Sequence, residues 1–568
     1  MDAKKISWFE LPPNYSTAEP SLAPARPSPE QKSGKGCRRG PQILVIHAST
    51  SRETESLLHH RAYCLPRSFM KRSILALTLS FITAAQADVT LPATFSDHMI
   101  LQAEAAAPVW GWAVPGEEIN VSISGQTKTV KANEKGEWRV LLDSLKSGES
   151  TTMTVKGKNT ITINDVLVGE VWLCSGQSNM AWTVGRLRSF KDEQATANAS
   201  QLRMFVESSG GAGESNTKPR GEWKLTTPEN LANFSATAYF FGRHLHRELK
   251  QPVGLLVSAV GGTPIQSWIS PQSQRTHPEM AKGFTAIDEA MKTWTPERAK
   301  ELHARQLEGW QKQADKAKAE GKPAPPKPAS TPDPRTRAPG NLFNGKIAPL
   351  AGYAIKGAIW YQGESNAFTV EGGKFYAEQL PMLVKDWRQH WAQGEFPFAW
   401  VQLPNFHNER FTGWCEVRES MLKTLSVPYT GMAIALDLGD PRDIHPQNKQ
   451  EVGRRLGLWA LAKVYGQTIA WSGPLPKAQQ FENGAAICSF EHAEGLKARE
   501  GQVEGFELAG ADKTFHSATA KIENGKLIVT SPEVKTPFAV RYAWKDDPKA
   551  NLVNGAGLPA SPFRSDAW

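Results

Sequence analysis

Ser178 stands in Gly176-Gln177-Ser178-Asn179-Met180, directly behind the apolar run Val171-Trp172-Leu173-Cys174, which places a hydroxyl at the end of a predicted strand. Ligands of open α/β sheets bind outside the carboxyl ends of the strands, where a tight turn presents a side chain to a crevice. Three other strand ends carry complementary groups: Gly261-Gly262-Thr263, then Gln362-Gly363-Glu364-Ser365-Asn366, then Asp437 to Asp443 with His445. A serine nucleophile needs a base to take its proton, the base needs a partner that fixes its tautomer, and the oxyanion needs donors aimed at it. Ser178, His445, an aspartate just upstream, glycine backbone amides and Asn366 can supply these parts of an acyl-transfer site. Singly, each has a plainer reading: Ser178 as a helix cap, Gly261-Gly262 as a turn, Asn366 as a cap, His445-Pro446 as a loop. Their appearance in order on successive strand ends is what the plainer readings leave unexplained.

The elements that must position these residues are short, near-continuous apolar runs, as expected of parallel strands covered on both faces. They are Val171–Cys174, Leu255–Val260, Ala358–Tyr361, Phe398–Val401 and Met432–Leu436. Apolar residues at three- and four-residue spacing predict helices over Ala236–Lys250, Phe375–Trp391 and Gln450–Tyr465. That alternation predicts a doubly wound α/β domain with a parallel sheet.

Four blocks carry a resemblance: Trp172-Leu173-Cys174-Ser175-Gly176-Gln177-Ser178-Asn179-Met180, Gly261-Gly262-Thr263-Pro264-Ile265 with Trp268, Trp360-Tyr361-Gln362-Gly363-Glu364-Ser365-Asn366-Ala367, and Asp443-Ile444-His445-Pro446. The chain resembles the sialate O-acetylesterase-type SGNH (GDSL-like) hydrolases, and the likeness extends over most of residues 88–568. The resemblance implies an SGNH-type three-layer α/β/α domain and a catalytic set of Ser178, Asp443 and His445. It also implies an oxyanion hole made by the Ser178 N–H, a Gly261 or Gly262 N–H and the Asn366 amide. The superfamily at large places its aspartate three residues before the histidine, where this chain has Arg442; the acid is read as Asp443, with Asp440 as a rival. Where the family often has a glutamine after an Arg-Glu pair, this chain reads Arg418-Glu419-Ser420-Met421. A lipase-like elbow is disfavoured, because Gly-x-Ser-x-Gly would need glycine at Met180.

Candidate substrate-binding residues are Gln177, Trp182, Trp268, Gln362 and Glu364. Tryptophan faces stack on the apolar faces of sugars, against the alternative of core packing. Glu364 either holds its loop by hydrogen bonds, the favoured reading, or meets His445 as a second acid.

Composition narrows the function class. The chain has 66 Lys and Arg against 57 Asp and Glu. Residues 1–87 carry 12 of the basic and 6 of the acidic side chains, which leaves 54 against 51 over the rest, a net of +3. That balance implies no nucleic-acid partner. Met70-Lys71-Arg72, the apolar Ile74–Leu79 and the small residues to Ala87 have the pattern of a secretory signal over 70–87, so residues 1–69 are read as an over-extended start. The apolar part is too short to span a bilayer, and no stable membrane insertion is expected. Of the 5 cysteines, Cys174, Cys415 and Cys488 lie beyond residue 87, an odd, scattered set that argues against a disulfide scaffold and a zinc site.

The expected organisation is a β-sandwich over 88–165, the hydrolase domain over 166–475 with a helical, then Pro-rich and mobile insertion at about 280–340, and a C-terminal β region over 476–568. The expected activity is a secreted or periplasmic carbohydrate O-acetylesterase acting on acetylated mono-, oligo- or polysaccharides through an acetyl-serine, with no metal and no cofactor. The alternatives are an acetylxylan or xyloglucan-type polysaccharide acetylesterase, and a carbohydrate-binding protein that has lost activity; a peptidase is disfavoured. The oligomeric state is left open.

Overall fold

The computed structural model describes residues 88–330 and 332–568; the expected start segment 1–69 and signal 70–87 lie outside the described residues. Seven strands build the central sheet: β1 (Thr160–Gly176), β2 (Ala199–Glu207), β3 (Gly221–Thr226), β4 (Val253–Ala259), β5 (Gly357–Tyr361), β6 (Phe398–Gln402) and β7 (Thr430–Ile434). Their order is β7-β6-β5-β1-β4-β2-β3, parallel except for the edge strand β3, which runs antiparallel to β2. The predicted runs supplied five of the seven. The β2–β3 edge hairpin escapes notice because its strands mix apolar and polar residues and bury only some positions, as edge strands do.

Five longer helices accompany the sheet: α1 (Ala236–Leu249), α2 (Pro296–Ala319), α3 (Val370–Trp391), α4 (Trp414–Lys423) and α5 (Lys449–Lys463). The starts of α1, α3 and α5 are set by Ser235, Thr369 and Asn448, whose side chains accept from the backbone N–H of Ala238, Gly372 and Glu451. Alternate residues of the parallel strands enter two separate cores. Trp172, Cys174, Ile359, Tyr361, Ala399 and Val401 pack with Phe241, Leu245, Leu456 and Trp459 of α1 and α5. Leu173, Ala358, Trp360, Phe398 and Trp400 pack with Tyr376, Leu380, Trp387 and Val417 of α3 and α4. Helices therefore cover both faces, which is why these strands read as unbroken apolar runs.

β1 continues past this sheet in the other direction. Its first half pairs antiparallel with Gly148–Lys156, which pairs with Glu118–Ile123, itself paired with Gln126–Lys131. Ala107–Trp112 and Glu137–Leu142 form a second small sheet. In both sheets alternate residues are buried, among them Val109, Ile119, Val121, Trp138 and Val140. The single strand β1 thus crosses the expected boundary at 165/166 and joins the N-terminal β region to the central sheet. At the other end, strands from Leu475–Glu482 to Phe563–Arg564 form a seven-stranded antiparallel sheet.

Within the insertion, α2 is the expected exposed helix, with only Ala299 and Ala314 buried. The Pro-rich stretch meets α2 where Trp310 Nε1 donates to the Pro325 carbonyl at 2.8 Å. Among the described residues no helix is long and apolar enough to cross a membrane.

Candidate active site

The strand ends are level. Gly176 of β1 lies in register with Ala259 of β4 and Tyr361 of β5, so the loops that follow emerge side by side. The chain leaves β1 toward β2 on one side and later crosses to β5 on the other, which makes β1 the switch point where a crevice opens. Gly176 has φ +143, and a Cβ there would stand 2.1 Å from the Tyr361 carbonyl oxygen. Only glycine fits that close approach, and it turns the chain so that Ser178 opens a single helical turn at the sheet edge.

Ser178 Oγ and His445 Nε2 are 2.9 Å apart. On the far side of the imidazole, Nδ1 lies 3.7 Å from Asp443 Oδ1, while the same carboxylate oxygen accepts the backbone N–H of His445 at 2.9 Å. Asp440 is turned elsewhere, its Oδ1 accepting the Arg442 N–H at 2.9 Å. Of the two rival aspartates, Asp443 is the one on the imidazole. Burial holds the His445 pKa below its usual value, helped by the cations of Lys449 and Arg186 and opposed by Asp443. These shifts favour the unprotonated imidazole, the form a general base needs.

The Gly261 loop touches Ser178. A Cβ on Gly261 would lie 3.3 Å from Ser178 Cβ, whereas one on Gly262, at φ +72, would meet nothing within 4 Å. The backbone N–H groups of Ser178 and Gly261 donate to no acceptor among the described residues.

Asn366 is placed differently from expectation. Its Oδ1 accepts from the Ile265 N–H at 3.0 Å and from Gln362 Nε2 at 2.8 Å, which fixes the amide orientation. Its Nδ2 then donates to Gln266 Oε1 and Gln379 Oε1, each at 3.2 Å. Both hydrogens of that amide are engaged, so Asn366 braces the 260–268 loop against α3 instead of presenting a free donor. Next to Ser178, the side-chain amide of Gln177 is unengaged: its Oε1 accepts from Gln362 Nε2 and the Ser365 N–H, and its Nε2 has no partner among the described residues.

Three of the expected substrate contacts are buried away from any substrate, and a fourth, Trp182, lies on the imidazole. Trp268 is fully buried, with Nε1 on Thr263 Oγ1 and its ring edge-on to Trp360. Gln362 is likewise buried, held by Gln177, Asn366 and the Tyr376 hydroxyl. Glu364 is buried and accepts from Asn179 Nδ2, the loop-holding role and not a second acid on His445. Trp182 stacks on His445, with centroids 4.7 Å apart and planes within 20°, and carries the Arg186 guanidinium 5.3 Å from its ring centroid. One of its faces is therefore taken by the imidazole. Two residues went unremarked in the sequence: Asn179, and Lys449 in the first turn of α5. A cation at a helix N-terminus works against the helix dipole, and that anomaly was the available signal.

Residues 168–295 and 343–463, the stretches that hold Ser178, Gly261, Asn366, Asp443 and His445, match the carbohydrate esterases described as the sialic acid-specific acetylesterase family. The sialate O-acetylesterase of Rattus norvegicus is 31% identical over 519 residues, covering 82% of this chain and 92% of that protein. That of Mus musculus is 30% identical over 528 residues with the same coverage. This chain belongs to the sialate O-acetylesterase family. Among solved structures it is similar to a carbohydrate acetylesterase from Xanthomonas citri, at 36% identity and a TM-score of 0.72, covering 84% of this chain and all of that one.

Proposed function

We propose that this chain is a secreted, serine-dependent carbohydrate O-acetylesterase whose central domain is of the SGNH type. The observation that carries the reading is the 2.9 Å pairing of Ser178 Oγ with His445 Nε2 at the switch point of the sheet. Ser178 Oγ attacks the acetyl carbonyl as His445 Nε2 takes its proton, and the oxyanion is met by the N–H groups of Ser178 and Gly261. Collapse breaks the bond to the sugar oxygen, which leaves with the proton from His445. Water, deprotonated by His445, then attacks the acetyl-serine and releases acetate. Asp443 orients the imidazole throughout, and Gln177 Nε2 is the free amide available to the substrate. The substrate is an acetylated sugar, on the strength of the family and of the relatives' names. The secretory reading rests on the Met70 to Ala87 segment of the sequence.

The test supplies the full chain with an aryl acetate, acetylated sialic acid and acetylated xylo-oligosaccharides in parallel, and measures acetate release. Ser178→Ala lowers kcat by about 10⁶-fold, the scale on which a hydrolase nucleophile acts, with thermal unfolding unchanged. Near-wild-type turnover in the folded variant overturns the mechanism. Zero rates of the wild type on all three substrates would favour a carbohydrate-binding protein.

A further inference from the structure

Directly behind the Ser178–His445 pair lie two opposite charges with almost no contact with water. Lys449 is 0% exposed and Glu364 1% exposed, and the side chain of Asn179, also 0% exposed, stands between them. Lys449 Nζ donates to Asn179 Oδ1. Asn179 Nδ2 donates to Glu364 Oε1 and, at 3.0 Å, to the carbonyl of Ile444. The amide orientation is fixed from both ends, because an ammonium only donates and a carboxylate only accepts. Reversing it would set NH₂ against NH₃⁺, and oxygen against both the carboxylate and the Ile444 carbonyl. Asn179 is the residue after the nucleophile and Ile444 the residue before the base. One amide therefore staples the two reacting segments together.

Packing alone does not account for the charges. A buried ion pair is replaced by apolar residues of similar volume at little cost or with a gain. Here the two charges do not even meet: an amide separates them, Glu364 Oε2 has no hydrogen-bond partner among the described residues, and Lys449 Nζ lies 5.2 Å from the centroid of the Tyr361 ring. We propose that Lys449, Asn179 and Glu364 form a positioning relay for the general base, in which the amide registers the His445 segment against Ser178 and the Lys449 cation holds the imidazole as the free base.

The charged groups around His445 come from three elements. Asp443 on its own loop favours the imidazolium; Lys449 of α5, and Arg186 lying across Trp182, oppose it. Around Lys449 stand Glu364 and Asp443, both favouring its charge, and burial opposes them, drawing its pKa down to about 7. Burial pushes the Glu364 carboxyl up, against its bond from Asn179 and the attraction of Lys449. Lys449 is thus a cation below about pH 7, the range in which His445 would otherwise take up a proton. The relay rests on the Ser178–His445 reading and adds to it what keeps the base unprotonated on the acid side.

The test follows the His445 ring resonance against pH in the wild-type full chain, and the kcat/KM profile for an aryl acetate in Lys449→Met, Glu364→Gln and the double variant. In the wild type, His445 titrates below 6.5, the usual histidine value. Lys449→Met raises that pKa and the acid limb of kcat/KM together, by about half a unit to one unit. Each single variant loses thermal stability through its orphaned charge; the double variant regains stability yet keeps the raised acid limb. A folded double variant with the wild-type limb overturns the relay, leaving the pair only structural. A wild-type His445 that titrates at or above 6.5 overturns it whether or not any variant folds. If the wild type hydrolyses no acetate, the proposed function fails, and the ring titrations still decide the relay.

Discussion

His445 draws on two loops of unequal grip. Ser178 meets Nε2 at hydrogen-bond distance, but the Asp443 carboxylate is 3.7 Å from Nδ1, beyond a formed bond, and spends one oxygen on the His445 backbone. Catalytic hydrogen bonds are often long before substrate arrives, so the carboxylate facing Nδ1 is the group proposed to orient the imidazole. Asp443→Asn is expected to lower kcat by about 10⁴, the cost of the wrong tautomer in the serine-protease case, and Asp440→Asn much less, with both variants unfolding at the wild-type temperature. The reverse ranking would move the acid to Asp440. Asp443 is half-exposed, so stacking on Trp182 and the Asn179 bond to Ile444 do much of the holding that a buried carboxylate does elsewhere.

At the scale of the element, the site depends on one turn. β1 must stop between two neighbours and swing Ser178 out over them, and Gly176 lets its backbone pass within reach of Tyr361. The Gln177 N–H donates to the Tyr361 carbonyl at 2.9 Å, and Val260 donates to the Gly176 carbonyl at 3.1 Å, so the turn is tied to both flanking strands. Gly176→Ala is expected to destabilise the protein by about 3 kcal/mol or more, since a methyl group has to displace backbone in a conformation that also strains alanine. Denaturant unfolding of the variant checks this, and a loss under about 1 kcal/mol, the usual scale of tolerated change, would mean that the turn relaxes easily.

Across the whole molecule, the C-terminal β region braces the loops that carry the chemistry. Arg418 of α4 is fully buried and forms no ion pair among the described residues; its guanidinium donates to the carbonyls of Leu403 and Pro404 after β6 and of Lys545 and Asp546 in the C-terminal region. Arg499 reaches from the same region to Asp437, at the root of the His445 loop, where Arg455 of α5 also binds. Asn405, whose side chain accepts the Gly439 N–H, donates to Asp547. A fork of five donors satisfies four carbonyls in fixed directions, and an ammonium cannot. Arg418→Lys is therefore expected to cost about 2 kcal/mol or more, from buried carbonyls left unpaired, with a fall in thermal midpoint and in turnover. Wild-type values for both would show that the two regions do not depend on this joint.

The sequence determined five of the seven strands of the central sheet, the helices with regular apolar spacing and the catalytic candidates, because each is written locally. Five apolar runs announced parallel strands buried on both faces, apolar spacing of three and four residues announced the helices, and Ser178, Asp443 and His445 stand in compact blocks whose order matches the strand ends. The edge hairpin β2–β3, with its mixed polarity, left no such local mark. What only the tertiary structure decided is how side chains distant in sequence share their hydrogen bonds. Asn366 reads as an oxyanion donor until Gln266 and Gln379 claim its amide, Trp182 reads as a sugar platform until His445 stacks on one of its faces, and nothing local to Lys449 names Glu364, 85 positions earlier in the chain, as its neighbour across Asn179. A residue's type states what it can donate, accept or stack upon; which partner takes that capacity is fixed only when packing brings the partners within three or four ångströms.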